Sequence, residues 1–289
     1  MKIGIDLGGT NYRIGLVDDN YNIISLIKKT LDTKDAKEII QSITNDIASF
    51  DLSNVKGIGF CAPGVIDAEN CTMRDATNLN VEGTIEIGKI FNSIFNLPIY
   101  IDNDANCAGL AEAIVGAGKN HKSVYYITHS TGIGATYIID GKIIHGAHNC
   151  LGEIGSCLLN KEPKQRLEKT SAGPAIALKG KELLGTIKTH EVFEEMKKGN
   201  KKAQEIIEEV CANLAFTMAN IVYIADPECF VLGGGVTNNF DVYKDTLMKY
   251  YEYYAKEAFA SIPVYKASLS EPGVIGASLL VKWTFNSKL

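Results

Sequence analysis

The densest chemistry in this chain is the run Asp102-Asn103-Asp104. A carboxylate placed beside an alcohol accepts its proton as the oxygen attacks, which is what phosphoryl transfer to a hydroxyl asks of a protein. The amide between the two acids offers both a donor and an acceptor to neighbouring hydroxyls. Asp102 reads as a helix cap, the ordinary fate of an acid ahead of a helix. One acid suffices for a cap, which leaves Asn103 and Asp104 for a ligand. Glu153, in Gly152-Glu153-Ile154-Gly155, and Glu168, after Arg166-Leu167, add two more carboxylates. Either glutamate alone reads as a solvated surface charge. Together with the Asn-Asp pair they suit a polyhydroxylated ligand.

Small-residue turns supply a second kind of chemistry. In Asp6-Leu7-Gly8-Gly9-Thr10-Asn11 the paired glycines free the backbone angles of the turn and let N–H groups approach an anion. Asp6 then stands where it holds a metal through water. The other reading of this stretch is an ordinary hairpin whose glycines only turn the chain. The design recurs at His129-Ser130-Thr131-Gly132-Ile133-Gly134, and a third cluster, Gly233-Gly234-Gly235, follows the apolar run Cys229 to Leu232. Two facing turns of this kind would clamp a polyphosphate. His145 and His148 lie near Cys150 and Cys157, but without a Cys-x-x-Cys pair they read as surface imidazoles and free thiols, not a zinc site. Neither Gly-x-Gly-x-x-Gly nor Gly-x-x-x-x-Gly-Lys-Ser/Thr occurs.

The elements that must position these residues alternate between strands and helices, the signature of α/β architecture. Strands are expected at Lys2 to Leu7, Asn11 to Val17 and Tyr21 to Ile27, with Asp18-Asp19-Asn20 as a turn. The same strand, turn, strand, acidic turn, strand order returns over Val124 to Ile144, which marks two copies of one unit. Ile39, Ile40, Ile43 and Ile47 give residues 35–50 a helical face. Val55 to Cys61 and Ile99 to Ile101 read as strands, 69–82 as irregular with Asn78 and Asn80 by a ligand cleft, and 84–95 as a helix. A small-residue helix runs from Asp102 through Ala117. Beyond it, Leu151 to Leu159 is expected to be extended and helices fall at 173–184, 189–198, 201–225, about 239–258 and Gly273 to Trp283. Gly116 and Gly118 mark the domain boundary. The expected division is 1–117, completed by 273–289, and 118–272.

At 289 residues the chain is long enough for two domains. Its 46% hydrophobic and 22% charged composition is that of a globular protein, and a net charge of −5 argues against a nucleic-acid partner. There is no secretory leader pattern and no run of about eighteen apolar residues, so neither export nor a membrane span is expected. The seven cysteines are scattered, which points to free thiols in a reducing cytoplasm.

In this order the motifs resemble the ROK family of sugar kinases, within the two-domain actin-like (ribonuclease H-like) superfamily. The likeness runs through Asp6 to Thr10, Ala62-Pro63-Gly64, Asn103-Asp104-Ala105-Asn106, Ser130 to Gly134, Gly152 to Gly155, Leu167-Glu168 before Ser171-Ala172-Gly173, and Leu232 to Gly235. It implies ATP with magnesium, a sugar bound between the domains, and phosphorylation of a terminal hydroxyl. By likeness Asp104 is the base, and Gly64, Asn103, Glu153 and Glu168 contact the sugar, near Asn78. The turns at Gly8, Gly9, Thr10 and Asn11 and at Ser130, Thr131, Gly132 and Gly134 hold phosphates. Gly233, Gly234, Gly235 and Val236 lie at the adenosine, and a homodimer is implied.

The sequence departs from the family twice. Ser156 stands where the common Glu-x-Gly-His places a histidine, and Asn160 to Arg166 replaces the cysteine-rich zinc loop. No structural zinc is therefore expected. Zinc-free relatives include bacterial N-acetylmannosamine kinases, so that sugar is expected first, with glucokinase or β-glucoside kinase as the alternative. A sugar-binding repressor is disfavoured because the hairpin opening at Lys2 leaves no room ahead of it for a helix-turn-helix. A chaperone-like ATPase is disfavoured by Asn103-Asp104 and Glu153.

Overall fold

The computed structural model describes residues 1–76, 79, 83–185, 188–256 and 261–281. The chain divides into two units, Met1–Val115 with the chain from Leu269, and Gly116–Ser268.

The first unit contains β1 (Lys2–Leu7), β2 (Asn11–Val17), β3 (Ile23–Thr30), α1 (Ala36–Ile47), β4 (Ile58–Ala62), β5 (Val65–Asp67), β6 (Thr72–Arg74), β7 (Thr84–Ile85), α2 (Ile87–Phe95), β8 (Ile99–Asn103) and α3 (Asp104–Ile114). Its main sheet has the order β3-β2-β1-β4-β8, and β5-β6-β7 form a small second sheet. The first three strands are an antiparallel meander, while β4 runs parallel to both β1 and β8. Strand β4 is buried along its whole length, as befits an apolar run covered on both faces. Helix α1 buries Ile39, Ile40, Ile43 and Ile47, and Asp35 caps it by accepting from the N–H groups of Lys37 and Glu38.

The second unit contains β9 (Ser123–His129), β10 (Ile133–Ile139), β11 (Lys142–Ile144), α4 (Leu167–Ser171), α5 (Gly173–Leu184), α6 (Thr189–Lys197), α7 (Lys201–Ala225), β12 (Cys229–Gly233), α8 (Phe240–Tyr254) and β13 (Val264–Lys266). The sheet order is β11-β10-β9-β12-β13. Strands β9 to β11 are again an antiparallel meander and β12 again lies parallel to both neighbours, so the repeat read from the hairpins extends to the whole sheet. Helix α7 has the length and composition to cross a bilayer. Here, however, Ile206, Ile207, Val210, Leu214 and Met218 are buried in the second unit's core, the place of a globular core helix.

Helix α9 (Pro272–Leu280) belongs to the first unit and lies directly on its sheet. Gly4 and Gly59 are ladder partners on β1 and β4. A Cβ on Gly4 would sit 2.1 Å from the Val274 carbonyl oxygen, and one on Gly59 only 1.7 Å from that of Ala277.

Several local expectations are corrected. Strand β3 starts at Ile23, not Tyr21, because Asp18 accepts from the N–H groups of Asn20 and Asn22 and holds the turn open to Asn22. The stretch read as irregular contains β6, and β7 opens the stretch read as helix 84–95; both strands are too short to show alternation. Leu151 to Leu159 is not a strand. It carries a 3₁₀ turn, Ile154–Ser156, and a single bridge from Leu158 to Arg166. Helix α3 begins at Asp104 because Asn103 is its cap. Residues beyond 281, including Trp283, lie outside the described residues.

Candidate active site

In the first unit, the carboxylates gather where parallel strands end. Asp6 on β1 pairs with Cys61 on β4, and Cys61 with Asp102 on β8. The C-terminal ends of such strands are the usual seat of ligands in α/β folds. Asn103, not Asp102, caps α3, its side-chain carbonyl accepting from the Asn106 N–H at 2.7 Å. Asp102 is buried instead and accepts from the Asn103 N–H at 2.8 Å and the Asn106 amide at 2.7 Å. That network fixes the start of α3 and delivers Asp104 at its first position. One Asp104 oxygen accepts from the Ala105 N–H at 2.8 Å. Asp104 is open to solvent. Even so, the protein crowded around it raises its carboxyl above the ordinary range, and the charge of Asp6 adds to the rise.

Asp6 is held from two sides. Arg13 Nη1 donates to Asp6 Oδ2 at 3.2 Å, and the Cys61 thiol donates to Asp6 Oδ1 at 3.5 Å. Burial raises the Asp6 carboxyl, with Arg13 opposing. Arg13 Nε also pairs with Glu271 at 3.1 Å, and Lys28 pairs with the same glutamate. Gly273, in the first turn of α9, gives Asp6 its place: a Cβ there would lie 2.5 Å from the carboxylate carbon. Arg13, Glu271 and Gly273 were not singled out from the sequence. Arg13 could have been, since the hairpin register sets it directly opposite Asp6.

The turn beside Asp6 closes with the Gly8 N–H donating to the Asn11 carbonyl at 2.9 Å. Neither Gly8 nor Gly9 has a positive φ, so the backbone-angle reason given for this pair does not hold. What Gly8 supplies is room, since a Cβ would stand 3.3 Å from the Asn11 oxygen. The Asn11 amide donates to the Thr10 hydroxyl at 3.2 Å. Gly64, after β4, does need its conformation, with φ of +92° and a Cβ position 2.8 Å from the Arg74 oxygen. Asn78 and Asn80 lie outside the described residues.

The second unit builds its own site on the β9–β10 turn. The Ser130 N–H donates to the Gly132 carbonyl at 2.8 Å, and the next N–H, that of Ile133, donates to Glu168 Oε2 at 3.0 Å. A Cβ on Gly132 would be 2.7 Å from that oxygen. Gly134 follows, paired with Thr128 in the ladder. Glu168 on α4 is thus seated on the turn, while Glu153 is exposed. Gly152, at φ +101°, lets the Glu153 segment lie on β10, and a Cβ on Gly155 would meet the Glu168 side chain at 3.2 Å. Ser156 is exposed, and its carbonyl accepts from Arg166.

Behind the turn is a cavity of about 440 Å³ lined by Ser130, Thr131, Gly173, Lys188, Gly235 and Val236, among others. Gly173, at the start of α5, donates to the Ser130 carbonyl at 2.8 Å, and the Thr189 hydroxyl donates to the Gly173 carbonyl at 2.7 Å. Gly233 and Gly234 do not line the cavity but allow its wall to form. A Cβ on Gly233 would meet the Tyr126 hydroxyl at 2.2 Å, and one on Gly234, at φ +90°, the His129 carbonyl at 2.5 Å. Lys188, Thr189 and His190 were missed because they follow no local motif. Among the described residues no group of three or more His, Cys, Asp or Glu is gathered as for a metal.

Replacing Glu168 with Gln keeps the shape but weakens the acceptor that holds the Ile133 N–H. A charged acceptor contributes about twice as much as a neutral one. The turn is expected to loosen, with a loss of stability of about 0.5–1.5 kcal/mol. Urea denaturation beside wild type checks this; unchanged stability would show that the Glu168 charge does not hold the turn.

A profile of the ROK family matches residues 2–284. A Clostridium perfringens protein of unassigned function is 33% identical over 255 residues, 85% of this chain and 86% of the relative. The glucokinase of Halalkalibacterium halodurans is 26% identical over 99% of this chain and 96% of its own. Among solved structures, a ROK family glucokinase from Streptomyces griseus in complex with glucose and AMPPNP superposes with a TM-score of 0.79 at 25% identity, covering 97% of this chain and 99% of that one. The chain belongs to the ROK family and has the two-domain actin-like α/β fold of its sugar kinases. It is an ATP-dependent carbohydrate kinase.

Proposed function

We propose that the chain phosphorylates the 6-hydroxyl of an amino sugar, N-acetylmannosamine first, using ATP and magnesium. The observation that carries the reading is Asp104, a carboxyl raised by its surroundings at the end of β8 and close enough to Asp6 to feel its charge. In this reading Asp104 accepts the hydroxyl proton, and Asn103, Gly64, Glu153 and Glu168 orient the sugar. Asn103 would do so through its amide N–H groups, because its carbonyl is taken by the cap. The turns Gly8–Asn11 and Ser130–Gly134 would hold phosphates, with adenosine against Gly235 and Val236. Asp6 is a desolvated hard-oxygen donor at the foot of a glycine turn, which fits magnesium held through water. When bound, MgATP supplies the phosphoryl group and neutralises its charge; the protein's part is to position, exclude water and take the proton.

The choice of sugar rests on Ser156. A serine there is shorter than an imidazole and leaves space for an N-acyl substituent. Such an enlarged pocket discriminates by only about 1–3 kcal/mol. Comparing kcat/KM for N-acetylmannosamine, N-acetylglucosamine, glucose and a β-glucoside, by ADP release at one ATP concentration, is the test. Ser156→His is expected to shift the preference toward glucose by roughly tenfold. The glucokinase relatives favour a second reading, a glucokinase, and a clear win for glucose in wild-type protein would establish it in place of the first.

A homodimer in a reducing cytoplasm completes the proposal. Its support is an exposed aromatic and aliphatic face on α7 and α8, where Tyr223, Ile224 and Tyr253 are 49%, 86% and 79% accessible. Sedimentation at micromolar concentration checks the assembly.

A further inference from the structure

His129, the last residue of β9, is 1% exposed, and its Nε2 lies 2.7 Å from the Ser171 carbonyl oxygen. A carbonyl only accepts, so Nε2 carries the proton and Nδ1 is left as a bare acceptor. Nδ1 is buried and has no hydrogen-bond partner among the described residues. Burial also pushes the ring's pKa down to about 4, so it is neutral at ordinary pH. Tyr243, on α8, is 3% exposed, and its hydroxyl is likewise buried without a partner. Burial raises that phenol, so it keeps its proton to donate.

Both residues line one small cavity of about 10 Å³, whose other lining residues are apolar or Cys211. That volume is about one water-sized probe, and two polar partners are the minimum a buried water needs. Orphaned buried polar atoms in native proteins are rare, and a shared water accounts for both at once.

We propose that this cavity is a water site, in which a single molecule donates to His129 Nδ1 and accepts from the Tyr243 hydroxyl, making His129 a positioning residue for the nucleotide-side pocket. His129 joins three pieces of the second unit. Its backbone leads into the Ser130–Gly132 turn, its Nε2–H ties that turn to the end of α4, and its main chain fills the space against Gly234. The water adds a fourth tie, to α8. Val236 lines both this cavity and the larger one behind the turn, so a change in the small cavity reaches the wall of the large one. The link to nucleotide rests on the kinase reading; the water itself does not.

A high-resolution crystal structure tests the site directly. The expected result is one ordered water within about 2.7–3.2 Å of both atoms. A dry cavity, or the two side chains bonded directly to each other, overturns the proposal. Tyr243→Phe removes only the hydroxyl. It is expected to move the His129 Nδ1 nitrogen resonance toward that of an unbonded imidazole and to raise KM for ATP several-fold, with KM for the sugar within about twofold. Equal changes in both constants, or none in either, count against a positioning role. The two readings fail separately. A hydrated cavity in a protein with no affinity for ATP overturns the kinase reading and leaves the bridge, whereas a dry cavity in an active kinase overturns the bridge alone.

Discussion

Replacing Asp104 with Asn is expected to lower kcat by about 10²–10⁴-fold, the usual loss when a positioned base is removed. Sugar affinity should change little. The substitution is suited to the question because the structural work of Asp104 survives it. The bond it accepts from the Ala105 N–H at 2.8 Å is available to an asparagine carbonyl. The α3 cap belongs to Asn103 and the buried network to Asp102, so neither depends on the charge at 104. Measured turnover with MgATP and the best sugar, beside sugar affinity by calorimetry, separates the base from a mere contact. Wild-type turnover in the variant would remove Asp104 from the reaction.

The same carboxyl sets a pH dependence. A base works only when ionised, so activity falls as pH drops through its pKa. Crowding by the protein, and then the charge of Asp6, both raise that pKa. The acid limb of kcat/KM should therefore lie above the ordinary aspartate value of about 3.9. A profile that falls only in the ordinary carboxylate range would contradict the raised carboxyl assigned to Asp104.

How much of this was legible beforehand depended on whether the cause was local. Strand–turn–strand order, the isoleucine face of α1 and the strand-to-helix step at Asp104 all follow from short-range pattern, and all are present. The role of Asn103 as cap was misassigned to Asp102, because capping depends on where the first helical residue falls and sequence alone leaves that open by one. The φ argument for Gly8 and Gly9 failed for a similar reason: glycine permits a positive φ without requiring it. Other partners were invisible because they are distant in sequence. Glu271 reaches Arg13 across the whole chain, and the Ser130 turn meets Gly173, Thr189 and Gly235 only once the chain through α7 and β12 has folded. Arg13 was the avoidable omission, since a hairpin register that places Leu7 opposite Tyr12 places Asp6 opposite Arg13.

Among the longest-range of these dependencies is the seat of α9, and Gly59→Val is expected to destabilise the protein by at least about 3 kcal/mol, the upper end of what overpacking costs. A Cβ at 59 would overlap the Ala277 carbonyl oxygen at 1.7 Å, and backbone is what it meets, not the end of a flexible side chain. Relief requires α9 to lift off β1 and β4. It is held there on its other side as well, since a Cβ on Gly276 would lie 1.8 Å from the Cys107 carbonyl oxygen of α3. Sheet, α9 and α3 are therefore packed backbone to backbone, and no rotamer change relaxes the contact. Gly185 is the control. It has φ of +75° and, among the described residues, nothing within 4 Å of its Cβ position, so Gly185→Ala should cost only the left-handed backbone penalty of about 1–2 kcal/mol. Urea denaturation of the two variants beside wild type measures the contrast. A domain with roughly 5–15 kcal/mol of total stability shows a loss of 3 plainly. The effect should also reach the site, because Gly273, in the first turn of α9, lies against the Asp6 carboxylate. Folded Gly59→Val protein is therefore expected to lose activity beyond its loss of stability, and unchanged stability would show that α9 is not seated as tightly as these distances require.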